Sequence, residues 1–370
     1  MVILHFILGK ANPDRANGVN QVIYGLAKYQ SLMGNDVHVV GISKSLKSES
    51  EEIDRNFFRV YAYKNYSCAL GYIEQIIAGV DIVHLHGVWN FNNIKIGRYL
   101  EKREKPYVIT AHCGYSIDRL KQSNYWIKLL YHKLWQKRLY EKAAAIHSLT
   151  REESTDIYIH CKNSNIFIVN NGVDNDIYNE VSYQVHKNRN VIRLGYLGRL
   201  SVEKNIDNLI RAIAILPDKY KSIIELNLIG PIDRNAKQFQ KMVKMLGLSS
   251  QIKFVGGKYG EDKLKALLDL DVYIHPALSD VVGISVMESF AIGLPTIVTR
   301  TSHMSYFYDQ KSFIMVEPTC FDLCRGIMDL IDRRNEWEDF SKNSKRLYSE
   351  IFNWKSVVEK LLIEYCKIVK

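Results

Sequence analysis

Residues 192–216 read IRLGYLGRLSVEKNIDNLIRAIAIL. Ile192–Leu197 is an apolar run of strand length, and Gly198 ends it. From Ile206 to Leu216 the apolar residues return at helical spacing, as on the buried stripe of an amphipathic helix. Strand, polar loop and helix in this order make half of a parallel crossover, so the fold depends on how often the unit recurs. It recurs along the whole chain. Val2–Leu8, Asp36–Gly41, Ile82–Leu85, Tyr107–Thr110, Ala145–Leu149 and Ile166–Val169 read as strands, with helical periodicity in Gly18–Leu32, Asn92–Lys102 and Tyr125–Lys142. A second series begins at Ile192 and continues through Glu225–Ile229, Lys253–Val255, Val272–His275 and Thr296–Thr299. Its helices are Ile206–Leu216, Asn235–Leu246, Glu261–Leu268 and Ser285–Ile292. Short strands with crossover helices imply parallel sheets covered on both faces. Two series predict an α/β protein of two Rossmann-like domains, residues 1–175 and 176–352, with the polar stretch Gly172–Asn190 at the join.

The 370 residues exceed one ordinary core and suit two. No apolar run approaches the ~18 residues of a membrane span. The N-terminal MVILHFIL has no basic segment before it and reads as a first strand, not a signal peptide. The six cysteines form no C-x-x-C pair and are expected as reduced thiols of a cytoplasmic protein. The net charge of +10 suits an anionic partner. From Arg119 to Lys142, seven Lys/Arg stand against Glu141 alone, interleaved with Tyr125, Trp126, Tyr131, Trp135 and Tyr140. Polar residues 128, 132, 133, 136, 137 and 141 share one helical face, with Ile127, Leu130, Tyr131 and Leu134 near the other. The bland reading packs that apolar face on the first sheet. The functional reading sets the basic aromatic side, with loop Gly114–Asn124, against an anionic membrane or lipid-pyrophosphate acceptor. No nucleic-acid-binding motif is present.

Open parallel sheets bind ligands beyond the carboxyl ends of their strands. After the first strand, Gly18 precedes a helix, where backbone N–H groups can approach a phosphate. The segment is not G-x-G-x-x-G, so a dinucleotide fingerprint is absent. After Leu197 come Arg199 and Lys204, a planar fork and a movable point charge suited to a diphosphate. After His275 comes SDVVGISVME, with Asp280 in the loop and Glu288 in the next helix. Two carboxylates so placed suit two sets of hydroxyls, with the amides of Val282, Gly283 and Ile284 as further donors. Asp174-Asn-Asp176 and Asp269-Leu-Asp271 match the D-x-D metal signature, but neither lies in a ligand-facing loop. Asp81 points to the opposite face of its strand from His84 and His86, so these three do not make a metal site.

Several further segments, taken in order, resemble one family. Asn17-Gly18-Val19 is similar to its glycine loop, Asp81 to Gly87 to its D-h-h-H-h-H strand, and Thr110-Ala-His112 to its T-x-H segment. Asn171-Gly172-Val173-Asp174 resembles an inter-domain N-G-V-D, and Gly198-Arg199-Leu200 with Lys204 a G-R-L…K motif. Asp280 to Glu288 is similar to E-x(7)-E, and Gly293 and Pro295 to the G-x-P that follows. The chain resembles a family-4 (group 1) retaining glycosyltransferase of the GT-B fold, two Rossmann-like domains facing each other across a cleft. The resemblance implies that residues 353–370 form a C-terminal helix crossing back to the first domain. One departure stands out: Asp280 replaces the usual Glu and is shorter by one methylene, roughly 1.5 Å.

The resemblance assigns the roles. Arg199 and Lys204 would hold the donor diphosphate with help from the Gly18 backbone, and Glu288 would accept from ribose hydroxyls. Asp280 and the Val282–Ile284 amides would grip the donor sugar, with His112 reaching it from the first domain. Asp280, His112, Arg199 and Lys204 are thus the catalytic candidates. The implied reaction moves a hexose from a nucleoside-diphosphate-sugar to an oligosaccharide acceptor, lipid-linked, in synthesis of a surface polysaccharide such as an O-antigen or capsule. It would run with retention and without metal or other cofactor, two cations standing in for a divalent ion. The expected place is the cytoplasm, peripheral on the inner membrane face. Two alternatives remain at this point: a sugar-nucleotide 2-epimerase of related fold, and a non-catalytic partner subunit that binds sugar-nucleotide.

Overall fold

The computed structural model describes residues 1–12, 18–115, 120, 124–173, 178, 189–308 and 311–370. Two compact units result, Met1–Gly172 with Trp354–Lys370, and Val173–Asn353. The first is built on an eight-stranded sheet. Across it run β3 (Ser50–Asp54), β4 (Arg59–Tyr63), β2 (Asp36–Ile42), β1 (Val2–Leu8), β5 (Ile82–His86), β6 (Tyr107–Thr110), β7 (Ala145–Ser148) and β8 (Ile166–Ile168). All neighbours are parallel except β3 against β4. From β1 the chain builds outward first on the β2 side and then on the β5 side, so strand order reverses between β1 and β5.

The second unit repeats the plan with six parallel strands. Their order is β11 (Ile252–Phe254), β10 (Ile224–Ile229), β9 (Ile192–Leu197), β12 (Val272–His275), β13 (Thr296–Thr299) and β14 (Ile314–Val316). Alternate side chains feed two cores. Leu194, Tyr196, Leu226, Val272 and Ile297 pack with Leu209, Ile213 and Leu330 on one face. Leu197, Ile229, Tyr273 and Val298 pack with Met287, Phe290 and Phe313 on the other. Here the order reverses between β9 and β12, the position where an open sheet presents a crevice.

Sequence periodicity placed the central strands to within a residue or two at their ends. It missed β3, β4 and β14, and the helices Tyr66–Ile76, Arg151–His160, Cys320–Asp332 and Trp337–Leu347. β3 reads SEEID and is largely exposed, a charged edge that resists pairing with another chain.

The first strand of the second unit ends on a close backbone approach. Gly198 N–H donates to Ile229 O at 2.9 Å, and a Cβ on Gly230 would lie 2.0 Å from the Gly198 oxygen. Because that neighbour is backbone, nothing soft can yield. Gly230→Ala should destabilise the protein by about 1–3 kcal/mol. Gly71→Ala, in the helix Tyr66–Ile76 with nothing within 4 Å, should stabilise it by about 0.5–1 kcal/mol. Urea unfolding of both variants checks the pair, and equal stabilities would refute the argument.

Candidate functional site

In the second unit the charged residues gather on loops that follow β9 and β12. Arg199 is exposed, and its guanidinium makes no hydrogen bond or ion pair among the described residues. Lys204 closes a single 3-10 turn, Val202–Lys204, and its ammonium is bound to Asp280 Oδ2. The same oxygen takes His275 Nε2 at 2.9 Å, while Asp280 Oδ1 takes its neighbour's amide, Val281 N, at 3.1 Å. Burial alone would raise the Asp280 carboxyl; Lys204 and His275 outweigh it and hold the group well below the usual carboxylate range. His275, buried at the end of β12, is lowered by burial against the pull of Asp280. A Cβ on Gly283 would stand 2.8 Å from the His275 ring and 3.0 Å from Asp280 Oδ2, so only glycine lets the loop close over this pair.

Gly283 is also the N-cap of the helix Ile284–Ile292, without a side-chain cap. The amides of Gly283 and Ile284 have no partner among the described residues. The expectation of three free amides is corrected at Val282, whose N–H donates to Ser302 O at 3.1 Å. Val282 also sits at φ +43°, an unfavourable conformation for a β-branched residue. Glu288 is buried on the same helix and paired at 2.5 Å with Lys263 of the helix Gly260–Leu268. Sequence reading missed Lys263 and His275 as partners of the two acids, because neither spacing nor motif links them. The D-x-D pair Asp269 and Asp271 is structural: Asp269 takes Arg189 and Arg193, and Asp271 accepts the Arg193 amide at 2.8 Å. Asp174 and Asp176 lie outside the described residues, as does Asn17.

Gly18 and His112 belong to the first unit. Gly18 opens the helix Gly18–Leu32. His112 follows β6 and is half-buried, with φ +48° followed by φ +67° at Cys113. Glu153 fastens this turn, accepting from Cys113 N and Leu149 N at 2.7 Å each. A trace of it lies in the sequence: Thr150 to Glu153 has the T-x-x-E pattern of a helix start, and the Thr150 hydroxyl caps Glu153 N at 3.1 Å while the carboxylate turns to Leu149 and Cys113.

Behind His112 lies an array of buried imidazoles. Parallel register sets His5 beside His84 and His86 beside Thr110, which stands beside His147, so all project from one sheet face. His112 Nε2 lies 3.0 Å from His86 Nδ1, and His86 Nε2 lies 2.9 Å from His5 Nδ1. His5 Nε2 lies 2.7 Å from Gln30 Oε1. A second run links Tyr365 to His84 Nδ1, His84 Nε2 to Thr110 at 2.6 Å, Thr110 to His147 Nδ1 at 2.8 Å, and His147 Nε2 to Val169 O at 2.7 Å. His5, His84 and His86 bring ring nitrogens within 4.8 Å of one another, close enough to suggest a metal site. Every ring nitrogen of the three already has a hydrogen-bond partner, so a metal would have to break both runs. Asp81 takes no part; its carboxylate caps Val2 N at 2.7 Å.

The basic segment corrects another expectation. Its helix starts at Tyr125, passes through a π-helical turn at His132–Gln136 and ends at Glu141. Two members of the polar face, His132 and Gln136, pack inward together with Leu139 and Tyr140. His132 and Gln136 are buried on the Tyr115 hydroxyl at 2.8 and 2.7 Å, and Gln136 Oε1 takes Trp89 N. Trp126, Ile127, Leu130 and Leu134 are 78, 68, 57 and 54% exposed. Arg119 and Lys121 lie outside the described residues. Among the described residues no helix is long and apolar enough to cross a membrane.

Two parallel-sheet α/β units with charged loops beyond their strand ends define the class, the GT-B fold. Residues 16–177 match the family model described as Glycosyltransferase Family 4, and residues 179–347 that described as Glycosyl transferases group 1. The chain belongs to the family-4, group 1 glycosyltransferases. It is 23% identical over 278 residues to the MMP alpha-(1->4)-mannosyltransferase of Mycolicibacterium hassiacum, covering 71% of this chain and 66% of that one. It is 28% identical over 104 residues to the lipopolysaccharide glucosyltransferase WaaG of Escherichia coli, covering 28% and 27%. The chain thus spans only part of the curated relatives it matches. The structure of Anabaena HepE in complex with UDP-glucose superimposes with a TM-score of 0.76 at 15% identity, covering 99% of each chain.

The imidazole array makes the protein sensitive to acid. Burial lowers His5 and His147 to about 4 and His112 to about 3, and holds His84 and His86 well below their ordinary value of 6.5. The unfolded chain takes up protons near pH 6.5 while the folded one does not, so stability is full above that pH and falls as pH drops toward 4. Denaturant midpoints should be level from pH 7 to 8 and decline steadily from 6.5 to 4.5. A level profile through that lower window would contradict the buried, neutral array.

Proposed function

We propose that the chain transfers a hexose from a nucleoside-diphosphate-sugar to a lipid-linked oligosaccharide, with retention and without a metal, in building a surface polysaccharide. The observation that carries this reading is the set of donors beyond β9 and β12: unpaired Arg199, Lys204 and the two free amides of Gly283 and Ile284 at a helix N-terminus. As the glycosidic bond breaks, charge gathers on the β-phosphate of the leaving diphosphate. Fixed cations and amides there stabilise the transition state more than the ground state. The Arg199 fork and the Lys204 ammonium supply the charge a divalent ion would otherwise bring. Glu288 accepts from ribose hydroxyls in this reading, and His112 contacts a sugar.

No side chain is assigned as a nucleophile. Asp280 has both oxygens engaged by Lys204, His275 and Val281, and it serves to orient Lys204. The acceptor hydroxyl would attack from the face the diphosphate leaves and pass its proton to it, which gives retention. That a mannosyltransferase and a glucosyltransferase are relatives, and that HepE was solved with UDP-glucose, supports a hexose donor on a nucleoside diphosphate.

The test is transfer from a panel of nucleotide-hexoses to lipid-linked acceptors with and without EDTA. One donor should turn over at the same rate in both, and Arg199→Ala should lower kcat/KM about tenfold or more, the loss of one charged hydrogen-bond fork. Strict dependence on added metal, or full activity in Arg199→Ala, would defeat the reading; hydrolysis or epimerisation of donor alone would move it to another class.

The acceptor clause rests on the outward face of the Tyr125–Glu141 segment. Trp126, Ile127, Leu130 and Leu134 form an apolar strip beside Lys128, Lys133, Lys137 and Arg138, the arrangement of a helix lying in an anionic bilayer surface. The protein should sediment with vesicles rich in anionic lipid and much less with zwitterionic ones. Trp126→Ser with Leu130→Ser should release it while leaving transfer to a water-soluble acceptor intact. Binding that ignores lipid charge or survives the double substitution would remove the membrane from the proposal.

A further inference from the structure

Chemistry fixes the direction of the two hydrogen-bonded runs behind His112. Val169 O can only accept, so His147 Nε2 carries the proton and its Nδ1, in a neutral ring, must accept. The Thr110 hydroxyl therefore donates to His147 Nδ1, and its oxygen accepts from His84 Nε2. His84 Nδ1 is left to accept from the Tyr365 hydroxyl. With that proton committed, the Tyr365 oxygen can only accept. Gln30 Nε2 is buried without a hydrogen-bond partner among the described residues, and Gln30 Oε1 is the atom set against His5.

From Gln30 the sequence of donors continues without a choice. His5 Nε2 donates to Gln30 Oε1, His86 Nε2 donates to His5 Nδ1, and His112 Nε2 donates to His86 Nδ1. All five imidazoles are Nε2–H tautomers, and His112 Nδ1 keeps a bare lone pair with no partner among the described residues. Reversing the run that ends at Val169 would require a proton on a backbone carbonyl, and adding a proton to either run would place charge among rings that burial keeps neutral.

We propose that the run from Gln30 is a positioning device that makes His112 Nδ1 an obligate acceptor for a substrate hydroxyl, with His86, His5 and Gln30 as specificity-determining residues behind it. The substrate rests on the glycosyl-transfer reading above; the tautomers do not. An ether, carbonyl, fluorine or phosphate oxygen placed at Nδ1 would meet a lone pair with its own. The position therefore selects for a free hydroxyl, and rejection of an analogue that lacks it is the larger effect.

Long-range proton–nitrogen correlation spectra of the full chain, labelled with nitrogen-15 in histidine and free of ligand at pH 7, read each tautomer directly. His5, His84, His86, His112 and His147 should all be neutral with the proton on Nε2. A proton on Nδ1 of any of them would overturn the proposal. In Gln30→Leu, His5 loses the acceptor that fixes its proton on Nε2, so His112 should show mixed tautomers. Deoxyfluoro analogues of the sugar substrates supply the functional arm. In the wild type one position should fall at least about tenfold in kcat/KM, and that ratio should shrink in Gln30→Leu. An unchanged His112 tautomer, or an unchanged ratio at every position, would refute the positioning role. Should Gln30→Leu not fold, the wild-type spectrum and analogue series still decide. Five Nε2–H rings in a protein that transfers no sugar would count against the functional reading and leave the tautomer assignment standing.

Discussion

A polar group taken out of water must be answered inside the protein, and one face of the first sheet depends on this throughout. Its strands are parallel and in register, so His5, His84, His86, Thr110 and His147 lie side by side with no apolar residue between them. Each ring has two nitrogens and, when neutral, one proton, so each must have both a donor and an acceptor beside it. The sheet supplies part of this from its own rows. The remainder comes from Gln30 of the helix Gly18–Leu32 and Tyr365 of the helix Trp354–Val369. That requirement explains why the last seventeen residues belong to the first unit although the second intervenes in sequence. Trp354 reinforces the attachment by packing where a Cβ on Gly25 would be, 2.1 Å from its ring.

The second unit meets the same constraint with charge. Asp280 and Glu288 are both largely buried, and each has a lysine from a different element on it. Removing Lys263 would leave Glu288 an uncompensated buried carboxylate, a loss of about 3–5 kcal/mol, whereas Asp280 without Lys204 would keep His275 and Val281 N. The shorter acid at position 280 is understandable on these terms. Its Oδ2 sits between Lys204 and His275 under a glycine that leaves no room for a Cβ. A glutamate, reaching roughly 1.5 Å further, could not hold the same three contacts without moving off His275. Aspartate is the side chain that fits beneath Gly283.

Much of this architecture was legible from periodicity, because central parallel strands are buried on both faces and read as apolar runs. β3 was not, since an exposed edge strand of SEEID has no buried face to leave a pattern. The inward face of the Tyr125–Glu141 segment was misread: His132 and Gln136 are buried with Leu139 and Tyr140, while Ile127, Leu130 and Leu134 are exposed. A helical wheel assumes one unbroken period, and the π-helical turn at His132–Gln136 resets it. It also assumes that apolar residues turn inward, whereas Tyr115 and the Trp89 amide gave His132 and Gln136 partners inside. In the candidate site the loop residues were legible because strand ends are marked by glycine and proline. Their partners Lys263 and His275, and the Glu153 that holds the His112 turn, were not. Those pairings are made by tertiary packing between elements whose separation in sequence carries no signal.

The two units begin on the same scaffold and answer burial differently, with consequences for what each can do. An ion pair is exchangeable: an anion arriving beside Lys204 competes with Asp280 for the same ammonium, and the lysine can be shared because its three N–H bonds diverge. Such a pair stores a cation where it is needed without leaving it unsolvated beforehand. A chain of neutral imidazoles has no charge to share. It carries direction instead, because each ring that donates on one side must accept on the other. Direction set at Gln30 Oε1 therefore persists through His5 and His86 to His112, although none of the intermediate groups is ionised. Charge placement in one unit and hydrogen-bond polarity in the other are separate controls, and each follows from how its sheet answers the groups it buries.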